Sequence, residues 1–580
     1  MRVSNFASDN SKSAFKTEFR KVVEGTIQKM SKYTLGIDFG TLSARTVLMN
    51  CEDGSLAASA TKAYPHAVMD KELPGGTPLP ASWALEDADD YTLALKETIR
   101  EVMEDSGVSK EDVIGLSIDF TSCTVVAADE QKRALSSLER FRNRPHAYTK
   151  LWKHHGAQAQ ADEINELLTR KGLIDEPRYG GAVSPELLLP KVLQVLREDP
   201  EIYQAAYVFL EAGDWLTWNL TGELRRSGNM AAYKAMWTPE EGYISKELLL
   251  ELDQGLGDFV EGKLRGEICP AGGCIGCLTR EWADQLGLMA GIAVGASIID
   301  SHAGMPGSGI CRKGQMMLVL GTSSVELLLS DQPYASNGVV GAVKGAIMPG
   351  YYSLEAGIAA IGDMYGWFAD GFVSSAYEKE ALSKGQNIHQ LLSGKAAALE
   401  PGASGLLALD WWNGNKTPYV NGDLSGVLVG LTLQTKPEEI YRALIEATAF
   451  GTRMIMEEFM KSHAQVDEVI VSGGIPEKNP LVLRIFTDVL NRPVKVSASD
   501  QTAALGSAMY AAAAAGKEAG GYESVADAAQ VLARLKDEVY LPDPAHAAVY
   551  DRLFDLYRDL VDCFNPGKMR ILTGLRTMKR

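Results

Sequence analysis

Apolar and polar positions along the chain fall into one figure that occurs twice. Leu35, Ile37 and Phe39 alternate with small or polar residues up to a Gly40-Thr41 turn, and Val47, Leu48 and Met49 follow. That is a β-hairpin pattern. About 280 residues later Met317, Leu318, Val319 and Leu320 run into Gly321-Thr322, and Val325, Leu327 and Leu328 follow. One such hairpin in each half predicts two similarly built domains. Between them, residues 87–104 place Tyr91, Leu95, Ile99 and Val102 at helical spacing, and Val113–Phe120 reads as a strand of alternating character. Residues 469–475 read as a strand ending in a double glycine, with a helix from Asn479-Pro480 through Leu490. This rhythm predicts an α/β layer architecture.

Length and charge narrow the reading. A chain of 580 residues is too long for one core, so two large domains are expected. A formal net charge of −18 argues against a nucleic-acid partner, which needs a broad basic face, but not against a small anion such as ATP. Seven scattered cysteines match reduced cytoplasmic usage rather than a disulfide framework. The single C-x-x-C, Cys274 to Cys277, lacks the second pair of a zinc site; its glycines favour a turn between domains. No apolar run reaches the roughly 18 residues of a membrane span, so no membrane partner is expected. The arm before Met30 is polar, lacks the apolar core of a signal peptide, and leaves open a disordered segment, a docking helix or an upstream start.

The turns carry the candidate chemistry. Gly40 lets the backbone approach a ligand, while Thr41, Ser43 and local N–H groups offer donors to phosphate oxygens, with Arg45 next along the strand. Asp38 stands where a carboxylate holds the water shell of Mg²⁺, or is a plain satisfied aspartate beside a turn. Gly321 and Thr322 repeat the arrangement. Gly473 and Gly474 at a strand-to-helix turn suit a flat purine, or make an ordinary tight connection. Residues 140–160 are dense in Arg142, Asn143, Arg144, His146, Trp152, Lys153, His154 and His155, which read as a polyol pocket or as a solvated helix face. Lys234, flanked by aromatics, is either an exposed charge on a packed stem or a donor aimed at substrate. Asp300 ends an apolar strand just where small residues open a helix.

Taken in order, Gly36-Ile-Asp-Phe-Gly-Thr41, Asp300, Leu320-Gly-Thr-Ser323 and Ser472-Gly-Gly474 resemble the FGGY carbohydrate kinases of the actin-like ATPase superfamily. The likeness runs from about Tyr33 to about Leu560. It implies an α/β fold of two actin-like (ribonuclease H-like) domains around a central catalytic cleft. The expected divisions are an extension over 1–32, an N-terminal domain over 33–296, a C-terminal domain over 297–560 and a tail over 561–580. The resemblance implies Asp300 as general base and as a sugar contact. It also implies Ser122, Trp152, Lys234 and Glu355 around the sugar, and Gly426, Gly473, Gly474 and Asn479 with the hairpins around ATP and Mg²⁺. Four further segments narrow the implied substrate to L-ribulose or a related ketopentose: Ile118–Thr124, Asn143–His155, Tyr233–Trp237 and Leu409–Asn415. The stretch Ser227-Gly-Asn-Met230 fits the family less well. A homodimer is compatible with this reading. The rivals are a sister kinase for another polyol, an actin-like ATPase that moves a partner protein, and a sugar-sensing repressor. The last two need an appended domain, for which the arm and the roughly 20 residues after Leu560 are too short.

Overall fold

The computed structural model describes residues 31–564 and 570–579, apart from 177, 180, 335, 337 and 342. The arm before Met30 lies outside the described residues. The two largest sheets, of seven and six strands, share one six-strand design. In the first, β1 (Tyr33–Phe39), β2 (Ser43–Asn50) and β3 (Leu56–Ala63) form an antiparallel meander. Next to β1, and parallel to it, runs β4 (Val113–Phe120). The edge is completed by β5 (Cys274–Cys277) and β6 (Ala293–Gly295), giving the order β3-β2-β1-β4-β6-β5. A two-residue strand, β7 (Ile298–Ile299), also pairs with β4.

The second sheet repeats this step for step. A meander of β8 (Gln315–Leu320), β9 (Ser324–Ser330) and β10 (Tyr352–Ala356) is followed by β11 (Glu468–Ser472), β12 (Val494–Ser497) and β13 (Leu535–Tyr540), in the order β10-β9-β8-β11-β12-β13. In both sheets the pairings run antiparallel, antiparallel, parallel, parallel, antiparallel. The duplicated hairpin is thus the visible part of a duplicated sheet.

Local chemistry explains the elements. Helix α1 (Ala88–Ser106) is capped by the Asp87 side chain, which accepts from the Asp89 N–H, and ends at Gly107 with φ +62°. Its predicted face, Tyr91, Leu95, Ile99 and Val102, is wholly buried. Strand β4 departs from the expected alternation. It lies centrally between β1 and β6 and is buried along nearly its whole length, as parallel strands covered on both faces are. The strand read at 469–475 stops at Ser472, since Gly473 takes φ +101° and a five-residue helix begins at Gly474. The C-x-x-C stretch is no turn between domains: it is β5, at the edge of the first sheet.

Two helices join the halves. One is α2 (Asp300–Gly307); the other is α3 (Thr502–Ala515), which contains the alanine run. They cross backbone against backbone: a Cβ on Gly506 would lie 1.7 Å from the Ala303 carbonyl oxygen. Helix α3 also lies directly on β1, where a Cβ on Gly36 would lie 1.9 Å from the Ala504 oxygen. Small residues permit this approach, so the second half of the chain supplies a helix to the core of the first. That core accordingly includes Met317, Leu327, Ile470 and Tyr510.

Candidate active site

Each hairpin turn is closed by a glycine N–H on a serine carbonyl, three residues on in the first and two in the second. The Gly40 N–H donates to the Ser43 carbonyl and the Gly321 N–H to the Ser323 carbonyl, both at 3.0 Å. A Cβ at either glycine would meet nothing closer than 3.5 Å, so the space over both turns is open. The register brings Asp38 opposite Arg45 on β2 and Asp119 on β4. Arg45 Nη1 lies 3.6 Å from Asp38 Oδ2. Asp119 is fully buried; Oδ2 accepts from Ser507 Oγ at 2.6 Å, while Oδ1 has no partner among the described residues. Burial first, and then the Asp38 charge, push the Asp119 carboxyl well above the carboxylate range. Asp38 is itself raised, by burial, against the pull of Asp119 and Arg45.

Asp300 enters the same cluster because β7 pairs with β4 at Ile298–Asp119 and then opens α2. Its Oδ1 accepts the Ser301 N–H at 2.6 Å. Burial and the Asp38 charge raise its carboxyl to about 7.

Lys234 and Glu355 reach this point from opposite halves. Lys234 ends a short helix, Gly228–Lys234. Burial works against its charge, but Glu355 together with Cys123, Glu186 and Glu211 more than offsets this, and Lys234 is held above its ordinary range. Glu355 on β10 is depressed to about 2: burial opposes ionisation, and Lys234 and His302 overcome it. Lys234 is therefore not a free surface charge on a packed stem. Ser122 sits in a turn anchored by the Thr121 N–H to the Phe39 carbonyl at 3.1 Å. Its neighbour Cys123 has φ +58° and a carbonyl that accepts from the buried Lys191. Trp152 is 37% exposed, and its Nε1–H donates to Thr41 Oγ1 at 3.1 Å, tying the expected sugar wall to the first phosphate turn.

Most of the other donors at 140–160 go elsewhere. Arg144 pairs with Asp199 and Glu201, and His146 and His154 are buried edge-on against Trp83. There burial holds both imidazoles far below their ordinary range.

Beside the second turn lies a cleft of about 860 Å³ whose walls include Gly321, Thr322, Gly474 and Asn479. Gly473 supports it from behind; a Cβ there would lie 2.4 Å from the Leu320 oxygen. Asn479 Nδ2 donates to Ser393 Oγ at 2.8 Å, leaving Oδ1 buried without a partner among the described residues. Gly426 is not brought to this wall. It lies beneath the Trp412 ring, 2.2 Å from where its Cβ would stand, so its lack of a side chain serves aromatic packing.

Sequence reasoning passed over Asn229, His302 and Lys416. Asn229 lies in the stretch that fitted least well, yet it is fully buried at the centre of the site. Lys416 immediately follows a stretch that was read, and its charge acts on Glu355, Glu186 and Glu326. A lysine in a Gly/Asn turn after two tryptophans was the available signal.

Duplicated sheets of this topology, with acidic residues and two glycine turns at their junction, have the two-domain architecture of the actin-like class. The model of the FGGY carbohydrate kinase N-terminal domain matches residues 33–307 and that of the C-terminal domain residues 316–515. The chain belongs to the FGGY family of carbohydrate kinases, enzymes that use ATP. It is 45% identical over 550 residues to a ribulokinase of Halalkalibacterium halodurans, covering 95% of this chain and 98% of that one. It is 40% identical over 550 residues to a ribulokinase of Mycolicibacterium smegmatis, covering 94% and 97%. Among solved structures, a xylulose kinase of Rhodospirillum rubrum superposes with TM-score 0.75 at 23% identity, over 93% of this chain and 100% of that one. A Plasmodium falciparum glycerol kinase with ADP superposes with TM-score 0.71 at 17% identity, over 91% and 98%. These two likenesses concern the fold.

Proposed function

We propose that this enzyme transfers the γ-phosphoryl group of ATP to the terminal hydroxyl of L-ribulose, giving L-ribulose 5-phosphate. The observation that carries the reading is the convergence of Lys234, Asp300 and Glu355, from three distant stretches, at the junction of the two sheets. The 40–45% identity to ribulokinases along nearly the whole chain supports it.

Asp300 accepts the hydroxyl proton; a carboxyl raised to about 7 is matched to that task near neutral pH. Glu355, ionised throughout the working range, accepts from a sugar hydroxyl. Lys234, firmly cationic, donates to sugar oxygens or the incoming phosphoryl group. Ser122 and Trp152 line the sugar side. The turns at Gly40-Thr41 and Gly321-Thr322 offer backbone N–H groups and hydroxyls to the phosphates from both sides. The cleft fits the rest of the nucleotide: its size suits a purine nucleoside, and the orphaned Asn479 Oδ1 is an acceptor for an amino group. Arg45 and Gly474 lie within reach of this assignment, whereas Gly426 contributes by packing. A Mg²⁺ site also fits. The Asp38 charge raises the carboxyls of both Asp119 and Asp300, and a divalent cation held through water by Asp38 would offset that repulsion. When bound, the ion supplies charge neutralisation to the triphosphate. A division near residue 296, cytoplasmic residence and assembly as a homodimer belong to the same proposal.

The test is initial rates of ADP release with the four 2-ketopentoses and glycerol at saturating ATP. L-Ribulose is expected to give the highest kcat/KM and glycerol a small fraction of it. Equal rates on glycerol, or turnover confined to another ketopentose, would overturn the substrate assignment and leave a sugar kinase of this family.

A further inference from the structure

Glu355 is held by a chain of buried hydrogen bonds that begins on the far side of the site. Asn229 is fully buried, and every polar hydrogen and the oxygen of its amide are engaged. Oδ1 accepts the Ile299 N–H at 2.9 Å, and Nδ2 donates to the Ala346 carbonyl at 2.8 Å and to His302 Nδ1 at 2.9 Å. Only one orientation of the amide allows this, because the reverse would set its NH₂ against the Ile299 N–H. With a donor at Nδ1, that nitrogen of His302 is the acceptor, and the imidazole proton resides on Nε2. Nε2 lies 2.9 Å from Glu355 Oε2. Among the described residues no hydrogen bond is made to Oε1, and the Glu355 side chain is 22% exposed, which leaves an oxygen available to a ligand. His302 is fully buried and stands edge-on to Tyr233 at 4.5 Å, whose hydroxyl donates to the Ser353 carbonyl at 2.7 Å. The network therefore ties together the helix ending in Lys234, the residue before Asp300 and the strand bearing Glu355.

We propose that Asn229 and His302 are positioning residues for the sugar. Asn229 fixes His302 as the Nε2–H tautomer, and His302 in turn occupies one oxygen of Glu355 so that the other is presented to a single substrate hydroxyl. Neither touches the reacting atoms. Their effect is on sugar affinity and orientation, and they leave the nucleotide cleft alone. A carboxylate with both oxygens free would rotate among several acceptor geometries; one pinned by a neutral, directional donor keeps a single one. The role rests on the sugar-kinase reading above but not on which sugar is used.

Two measurements test it. The first is a double-mutant cycle between His302→Leu and Glu355→Ala, read as kcat/KM for sugar and KM for ATP. His302→Leu should lower sugar kcat/KM by roughly 10–100-fold, mainly through KM, with ATP KM within about twofold of wild type. His302→Gln, whose amide restores a donor near Nε2, should recover most of the loss. In the Glu355→Ala background His302→Leu should cost less than about twofold more. Additive losses, or equal loss of ATP affinity, would show a general structural role and overturn the proposal. If L-ribulose is inert with wild type, the substrate reading fails, and the cycle is run with whichever sugar the panel identifies. The second measurement needs no turnover: ¹⁵N spectra of histidine-labelled protein, assigned by the resonance lost in His302→Gln. The Nε2–H tautomer is expected, and an Nδ1–H or doubly protonated ring overturns the relay.

Discussion

Replacing Asp300 by asparagine should have two effects of opposite sign. The amide keeps an oxygen for the Ser301 N–H, now accepted at 2.6 Å, and nearly the same volume, so the backbone has no reason to move. Turnover loses its proton acceptor. That predicts a fall of roughly 10²–10⁴-fold in kcat, about 3–5 kcal/mol in the barrier. Stability should rise. The carboxyl binds its proton more tightly in the fold, at about 7, than at its ordinary value of 3.8. Stability therefore falls as pH climbs between these values, and above about 7 the full penalty is present. At roughly 1.4 kcal/mol per unit the shift caps the gain from Asp300→Asn at about 4 kcal/mol. Asp300 is partly open to the cleft, and solvent screening brings the expectation to about 1–2 kcal/mol. Coupled ADP release at pH 8 reads the first effect. Denaturant unfolding at pH 8 and again near pH 4 reads the second, and the gain should vanish at the lower pH. Near-normal turnover would move the base elsewhere. Loss of turnover together with loss of stability would make Asp300 a structural residue.

Three further outcomes are expected. Sugar kcat/KM should rise with pH through about 7 as Asp300 sheds its proton, and a flat profile would contradict Asp300 as base. Gly40→Val and Gly321→Val should fold normally, since a Cβ meets nothing closer than 3.5 Å or 3.7 Å, yet weaken ATP binding by about tenfold or more by calorimetry. Unchanged affinity in both would reduce these turns to structure. Lys234→Ala should cut sugar kcat/KM by roughly 10²-fold with ATP affinity nearly unchanged, because a site built on hydrogen bonds loses heavily when one partner goes; intact sugar kinetics would remove Lys234 from the pocket.

The short-range features were written in the sequence. The two hairpins, the glycine after β11 and the strand end that delivers Asp300 follow from residues a few positions apart, and local sterics and hydrogen bonding decide them. What tertiary structure alone decided depends on partners distant in the chain. Strand β4 is buried on both faces only because β1, β6 and α3 surround it. The basic and aromatic stretch at 140–160 looked like one pocket, but most of its members found other partners, Arg144 pairing with Asp199 and Glu201 and His146 and His154 packing inward around Trp83. Gly426 resembled a nucleotide contact in its motif and proved to be the floor beneath Trp412. Asn229 carried no signal in its own neighbourhood, because its three partners, Ile299, His302 and Ala346, lie 70, 73 and 117 residues away. A side chain's hydrogen-bonding capacity is local, but what satisfies it is set by which strands and helices the fold brings alongside. The chemistry of this site was legible where its residues lay in turns and became visible elsewhere only once two sheets, built alike and joined through α2 and α3, had closed on one another.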